Sequence, residues 1–251
     1  MNKEIEVIKT LRPYLEKAKA RLQEVAQSNL SADRLIRIML SACSRNPKLL
    51  ECSQDSIVNF CMKCSETGLE PIGAGGAWPV PYRNKKNNTM EMQFIADYRG
   101  LVNCAVRAGC IVDACADVVR QNDQFDYQLG LHPDLIHKPA KTDRGEIIGA
   151  YCVYSLPGYI PRFIYMDISE IDSIKKRSKV QADGPWSTDE SEMCKKTVTR
   201  RAMKPFAGRS VALDAAINAD DKVTGIQLDE PEITMPTVIE TETTDDDPLP
   251  L

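Results

Sequence analysis

Ten basic side chains crowd residues 175 to 209: Lys175, Lys176, Arg177, Lys179, Lys195, Lys196, Arg200, Arg201, Lys204 and Arg209. Lys196, Arg200 and Lys204 recur every fourth residue and so share one side of a helix. Like charges at that spacing repel by a few tenths of a kcal/mol per pair, roughly. A polyanion laid along the same side reverses the penalty, and a sequence-independent phosphate track needs repeated point charges of this kind, with Lys195 and Thr197 beside them. A solvated face would carry the same stripe, so the pattern alone leaves both readings open. Arg201 falls on a different flank and either pairs with a carboxylate or serves a neighbouring subunit. Further cations stand in a polar turn (Arg83, Lys85, Lys86) and along a predicted helix (Arg99, Arg107). Trp78, Tyr82, Tyr98 and Trp186 lie beside these clusters, and rings next to phosphate-binding bases are what a single-strand groove uses. Trp78, on an extended run, is expected to anchor its loop in the core. Trp186 either stacks on a base or locks its loop.

The groups that covalent catalysis needs are sparse. The chain has two histidines, His132 and His137, and no GxSxG, which disfavours a Ser-His hydrolase. It has no GxxxxGK[ST] phosphate loop for ATP. The glycine run Gly73-Ala74-Gly75-Gly76 leads into Ala-Trp-Pro-Val-Pro, which cannot open a helix, so it reads as a turn entering a strand. Pro133-Asp134 followed by Glu146 resembles the start of a metal-nuclease arrangement. Ile148 stands where that arrangement needs a lysine, so a metal-dependent nuclease is kept only as an alternative. The nine cysteines are odd in number and read as reduced thiols. Cys61-x-x-Cys64 lacks a second tight ligand pair for zinc and is expected to line the buried side of a helix.

These residues need elements to hold them. Residues 3–27 predict a helix with an interruption or restart near Pro13. Ser31 predicts a cap for a second helix that carries Leu35, Ile36, Met39 and Leu40 and stops at Asn46-Pro47. Ser53 or Asp55 starts a third, closed by Gly68. Extended runs on either side of the polar turn 83–88 predict a hairpin. Asp97 predicts a cap for a helix that turns Leu101, Val102, Ala105 and Ala108 inward and ends at Gly109. Residues 110–128 predict a strand pair around Gln121-Asn122-Asp123, and 145–166 another around Pro157-Gly158. A short helix over 168–178, a helix from Ser187, Thr188 or Asp189 to about Gly208, and a short one over 211–219 complete the chain. On the long late helix Cys194, Val198, Ala202 and Phe206 form an apolar stripe at i,i+4. Helices, hairpins and a helix in this order predict an α+β fold.

The 251 residues carry a net charge of −4, but that figure averages two regions. From Asp229 to Leu251 there are eight acids and no base, so residues 1–228, with 32 bases and 28 acids, carry +4. A basic body with an acidic tail suits a polyanion-binding domain over about 1–220 and an interaction tail, expected to be disordered, over 221–251. No apolar run approaches the roughly 20 residues of a membrane span. The N-terminus has no apolar signal region, so the chain reads as a soluble cytoplasmic protein.

Three blocks, in order, resemble the RecT family of phage single-strand annealing proteins: GLEPIGAGGAWPVPYRNKKN (68–87), QFIADYRGLVNCAVRAG (93–109) and GPWSTDESEMCKKTVTRRAMKPF (184–206). Ala96-Asp97 departs from the glycine that the family tends to carry before the tyrosine. The resemblance implies an antiparallel, curved sheet with a long helix packed across it, shared in outline with eukaryotic annealing proteins. It implies binding of single-stranded DNA and annealing of complementary strands in phage or prophage recombination, without ATP, another cofactor or covalent catalysis. A passive strand-coating protein is a further alternative. The partners it implies are single-stranded and annealed DNA, other copies of the chain in a ring or helical filament, a phage 5′–3′ exonuclease and the host single-strand-binding protein. The phosphate face it implies comprises Lys195, Lys196, Thr197, Arg200, Arg201 and Lys204. Tyr98, Arg99, Arg107, Trp186, Lys175, Lys176, Arg177, Lys179, Arg83, Lys85 and Lys86 would join it.

Overall fold

Caps and aliphatic spacing build the first third of the chain. A computed structural model describes residues 2–84, 87–177 and 185–224, and its first three helices, α1 (Asn2–Glu24), α2 (Ala32–Arg45) and α3 (Gln54–Thr67), pack on one another. The expected break at Pro13 does not occur, and α1 runs through it. Pro13 is exposed, opposite the buried stripe of Leu11, Leu15, Ala18 and Leu22, so the carbonyl deprived of its N–H faces water while packing holds both halves. Ser31 Oγ accepts the Arg34 N–H at 3.4 Å and Ser53 Oγ the Ser56 N–H at 3.3 Å, as the capping pattern predicts. Gly68 closes α3 at φ +65°, where a Cβ would strike the Asn29 side chain. Cys61 and Cys64 are fully buried on α3 and all nine cysteines are free thiols.

The hairpin of β1 (Ala77–Asn84) and β2 (Thr89–Ala96) pairs from Ala77↔Ala96 to Asn84↔Thr89. Its inner side buries Ala77, Pro79, Met92, Phe94 and Ala96. Asp97 Oδ1 then accepts the Arg99 N–H at 2.9 Å and opens α4 (Tyr98–Arg107). Leu101 and Ala105 turn inward as expected, but Ala108 is exposed at the C-cap. The glycine run does more than turn. A Cβ on Gly100 would lie 2.9 Å from the Gly76 carbonyl oxygen, so α4 rests directly on the run's backbone.

The strand pair predicted for 110–128 does not form. β3 (Asp113–Arg120) pairs instead with β6 (Ile147–Ser155), and β4 (Gln124–Gln128) with β5 (Asp134–Lys138). β6 also pairs with β7 (Arg162–Asp167), the expected hairpin, to give an antiparallel sheet of order β3-β6-β7. The cause lies in the turn. The fully buried Asp123 carboxylate accepts the N–H groups of Arg120 and Ala140, both at 2.9 Å, and the Arg144 guanidinium at 2.7 and 3.0 Å. His137 Nε2 is 3.1 Å away. These bonds tie the turn to the end of β5 and to the approach to β6, and lead β4 away from β3. Phe125 and Tyr127 seat the β4–β5 hairpin on the sheet through rings of Tyr151, Phe163 and Tyr165, with centroids 5.0 to 6.0 Å apart.

The chain continues through α5 (Ile168–Arg177), α6 (Pro185–Thr188), α7 (Glu190–Met203), a 3-10 segment (Lys204–Arg209) and α8 (Val211–Thr224). α7 lies against all three strands of the sheet, with Cys194, Val198 and Ala202 fully buried and Phe206 nearly so. α8 packs on β2, α3 and α4 and runs four residues past the predicted boundary at 220. The architecture is α+β, as predicted. Among the described residues no helix is long and apolar enough to cross a membrane. The tip lysines Lys85 and Lys86, Lys179 and the tail from 225 lie outside the described residues.

Candidate nucleic-acid interface

Blocks far apart in the sequence meet where α4 crosses α7. Tyr98 and Arg99 open α4, and Glu192 lies in the first turn of α7. The Tyr98 hydroxyl donates to Glu192 Oε2 at 3.1 Å, and the Arg99 guanidinium sits 3.7 Å from that oxygen and 5.2 Å from the centre of the Tyr98 ring. Lys195 Nζ reaches Glu192 Oε1 at 3.1 Å and Asp117 of β3 at 3.9 Å. Burial pushes the Glu192 carboxyl up, but Lys195, Tyr98 and Arg99 prevail and hold it below the usual carboxylate range. Asn103 ties the far side of α4 to the glycine run by donating to the Gly75 carbonyl at 3.3 Å.

The basic stripe of α7 is not an open track. Arg200 is 4% exposed, with Nη1 2.7 Å from Asp220 of α8 and Nη2 on Asp221. Lys196 Nζ is 3.1 Å from the other Asp220 oxygen, and Asp220 itself is fully buried. The two carboxylates that neutralise the stripe arrive from α8, so Lys196 and Arg200 clamp two helices where the sequence suggested a phosphate face. Burial lowers the Arg200 pKa, and Asp220 opposes the shift. Thr197 is buried and spends its hydroxyl on the Met193 carbonyl at 2.8 Å. Lys204 is half-buried in the 3-10 segment.

The remaining predicted residues divide. Arg201 is exposed and pairs with Glu170 of α5 at 3.3 Å. Arg107 donates at 2.8 Å to the Thr67 carbonyl, the last of α3, and so closes a helix end. Trp186 of α6 is 2% exposed, with Lys175, itself bonded at 2.8 Å to Glu190, 5.7 Å above its ring. Trp78 reverses its expectation: it is 42% exposed, with its indole N–H given to Asp97 Oδ2 at 3.3 Å. Lys176 and Arg177 at the end of α5 are exposed, and Arg83 bonds Asn88 in the hairpin at 2.7 Å. Sequence reasoning missed Glu192 and the Asp220–Asp221 pair. The signal for the latter was present, two adjacent acids on an amphipathic helix following a basic one. Of the residues weighed for a nuclease, Asp134 lies on β5 and Glu146 directly ahead of β6, and among the described residues there is no group of three side chains that could hold a metal ion.

This arrangement offers exposed cations in ion pairs where α7 meets α4 and α5, with the sheet on the buried side of α7. Comparison with known proteins gives it a family. A profile described as "RecT family" matches residues 33–236. The chain is also 34% identical over 207 residues to Protein RecT of Escherichia coli (strain K12), a match that covers 81% of this chain and 77% of that protein. All three sequence blocks fall within the matched residues, and the second and third supply the two helices that cross. The chain belongs to the RecT family.

Proposed function

We propose that this protein binds single-stranded DNA and anneals complementary strands in phage or prophage recombination, needs neither ATP nor metal, and works in the bacterial cytoplasm as a ring or filament of identical subunits. Family membership over residues 33–236 is the observation that carries this reading. Geometry supports it through two ion pairs of α7, one with α4 and one with α5. Arg99 with Glu192 and Arg201 with Glu170 are exposed pairs, their side chains between 44% and 53% accessible. Such pairs are worth about 0–1 kcal/mol each, so a phosphate exchanges for the carboxylate at little cost. Arg99, Lys195, Arg201, Lys176 and Arg177 are then the phosphate contacts, and Lys196 and Arg200 hold the helix that presents them.

Two strands repel at every phosphate and must align in register before they pair. Cations lower the repulsion, an extended strand is already ordered, and pairing supplies about 1.4 kcal/mol per stacked step, so no nucleophile is needed. A 5′–3′ exonuclease would expose the strand, the host single-strand-binding protein would meet the same DNA, and the acidic tail is the surface for protein partners. Incubating heat-denatured complementary strands with the protein and no nucleotide tests the proposal. Accelerated duplex formation supports it. Shortened strands with Mg²⁺ would point to a nuclease, and slowed pairing to a passive coat.

A further inference from the structure

The exposure of Trp78 sets it apart from the other tryptophan and from most large rings of the fold. It belongs to the outer side of the β1–β2 hairpin, where Trp78, Val80 and Tyr82 alternate with the buried Ala77 and Pro79. Opposite them across the ladder stand Ile95, Gln93 and Glu91, all half-buried. Trp78 and Tyr82 are both 42% exposed. Four residues of strand separate them, about 13 Å at roughly 3.3 Å per residue, and they share one side because alternate residues do. The Trp78 N–H is already bonded to Asp97, so what the ring shows to water is its apolar surface.

We infer that this side of the hairpin is a stacking platform for unpaired bases of a single DNA strand, with Trp78 its principal ring and Tyr82 a second. The inference rests on the annealing reading above and adds a base-binding site to its phosphate contacts. Continuity with those contacts argues for this occupant. The Asp97 carboxylate that fixes Trp78 through one oxygen caps α4 through the other, at the Arg99 N–H, and the Arg99 guanidinium belongs to the cation row at Glu192. A strand whose phosphates follow Arg99 and Lys195 thus has aromatic rings within the same connected surface. Flat rings bind every base through its π face, which suits a protein that must anneal any sequence.

The chain holds only two tryptophans, and Trp186 is buried, so intrinsic fluorescence reports on Trp78 by difference. The full-length protein and its W78F variant are titrated with a dT oligonucleotide, with binding followed independently by anisotropy of a label on the DNA. The expected result is fluorescence quenching in the parent that W78F lacks, while W78F keeps most of the affinity because phenylalanine still stacks. W78A should bind roughly tenfold more weakly, the equivalent of about 1.4 kcal/mol. Its log–log dependence on salt should keep the parent's slope, because no phosphate contact has gone. Equal quenching in parent and W78F, or an unchanged affinity in W78A, overturns the platform while leaving annealing standing. Should W78A melt early, the comparison of parent with W78F decides alone. Absence of binding by anisotropy overturns the platform and the annealing reading together.

Discussion

Replacing Arg200 with alanine separates a phosphate contact from a helix clamp. In the fold Arg200 is 4% exposed, 2.7 Å from a fully buried Asp220. R200A leaves that carboxylate buried with one cation fewer, and breaking a buried pair by removing one partner costs about 3–5 kcal/mol. Lys196 remains 3.1 Å from Asp220 and retains part of the compensation, which puts the loss at the low end, about 3 kcal/mol. For a domain of this size each kcal/mol lowers the melting temperature by about 2–4 °C, so R200A should melt about 6–12 °C below the parent. Urea unfolding should show a lower midpoint at unchanged slope. R200A/D220A, which removes the stranded carboxylate as well, should recover part of the loss. DNA binding supplies the contrast. Both Arg200 Nη atoms already serve Asp220 and Asp221 in the buried clamp, so the dependence of single-strand affinity on salt should be unchanged in folded R200A. Loss of a phosphate contact would lower that slope by about 0.7. An unaltered midpoint together with a slope lower by that amount would refute the clamp and restore the phosphate track.

Three further outcomes follow from the same contacts. Arg144 holds the Asp123 carboxyl well below its ordinary 3.8 against the upward push of burial, with the N–H groups of Ala140 and Arg120 and the His137 ring assisting. A depressed folded-state pKa gives stability that is present above pH of about 4 and is lost as pH falls toward the folded value. Urea midpoints measured from pH 5 to 2.5 should therefore drop more steeply in the parent than in D123N, and parallel profiles would contradict the assignment. G149A places a Cβ 2.7 Å from the Met166 carbonyl oxygen and against the Tyr165 hydroxyl. Overpacking of this kind costs about 1–3 kcal/mol, and thermal unfolding of G149A that matches the parent would count against the β6–β7 spacing. Removing 229–251 changes the net charge from −4 to +4 by deleting eight acids. Melting temperature and single-strand binding should both survive the truncation while capture of a partner exonuclease weakens, and a sharply lower melting temperature would make the tail structural.

What could be read from the sequence was whatever is decided within a few residues. Ser31, Ser53 and Asp97 cap the helices predicted for them because a cap needs only its own side chain and the next turn's N–H. Gly68 ends α3 for an equally local reason. The strand partners of 110–128 were hidden because the bonds that redirect β4 join Asp123 to Ala140 and Arg144, 17 and 21 residues away. The exposure of Trp78 was hidden for a similar cause. Trp186 is buried beneath Lys175 of another helix, whereas Trp78 lies on the side of a hairpin whose other side meets α3 and α8, and strand alternation alone does not say which side that is.

The basic stripe of α7 shows where periodicity stops informing. Residues 194, 198 and 202 differ from 196 and 200 by two positions, which sets the apolar and basic stripes about 200° apart on a helix of 3.6 residues per turn. Such a helix reads as one that buries one side and wets the other. α7 instead has the sheet on its apolar stripe and Asp220 and Asp221 of α8 on its basic one. With both sides occupied, its open surface is confined to the flanks. There Lys195, its side chain 22% exposed, and Arg201, at 45%, hold carboxylates in weak pairs. A strand of DNA competing for cations on this helix would take those pairs first. Displacing Asp220 would strand a buried charge at about 3–5 kcal/mol, whereas displacing Glu192 or Glu170 returns an exposed carboxylate to water. Affinity for phosphate should therefore follow the flank residues and not the stripe, although the stripe is the more regular pattern.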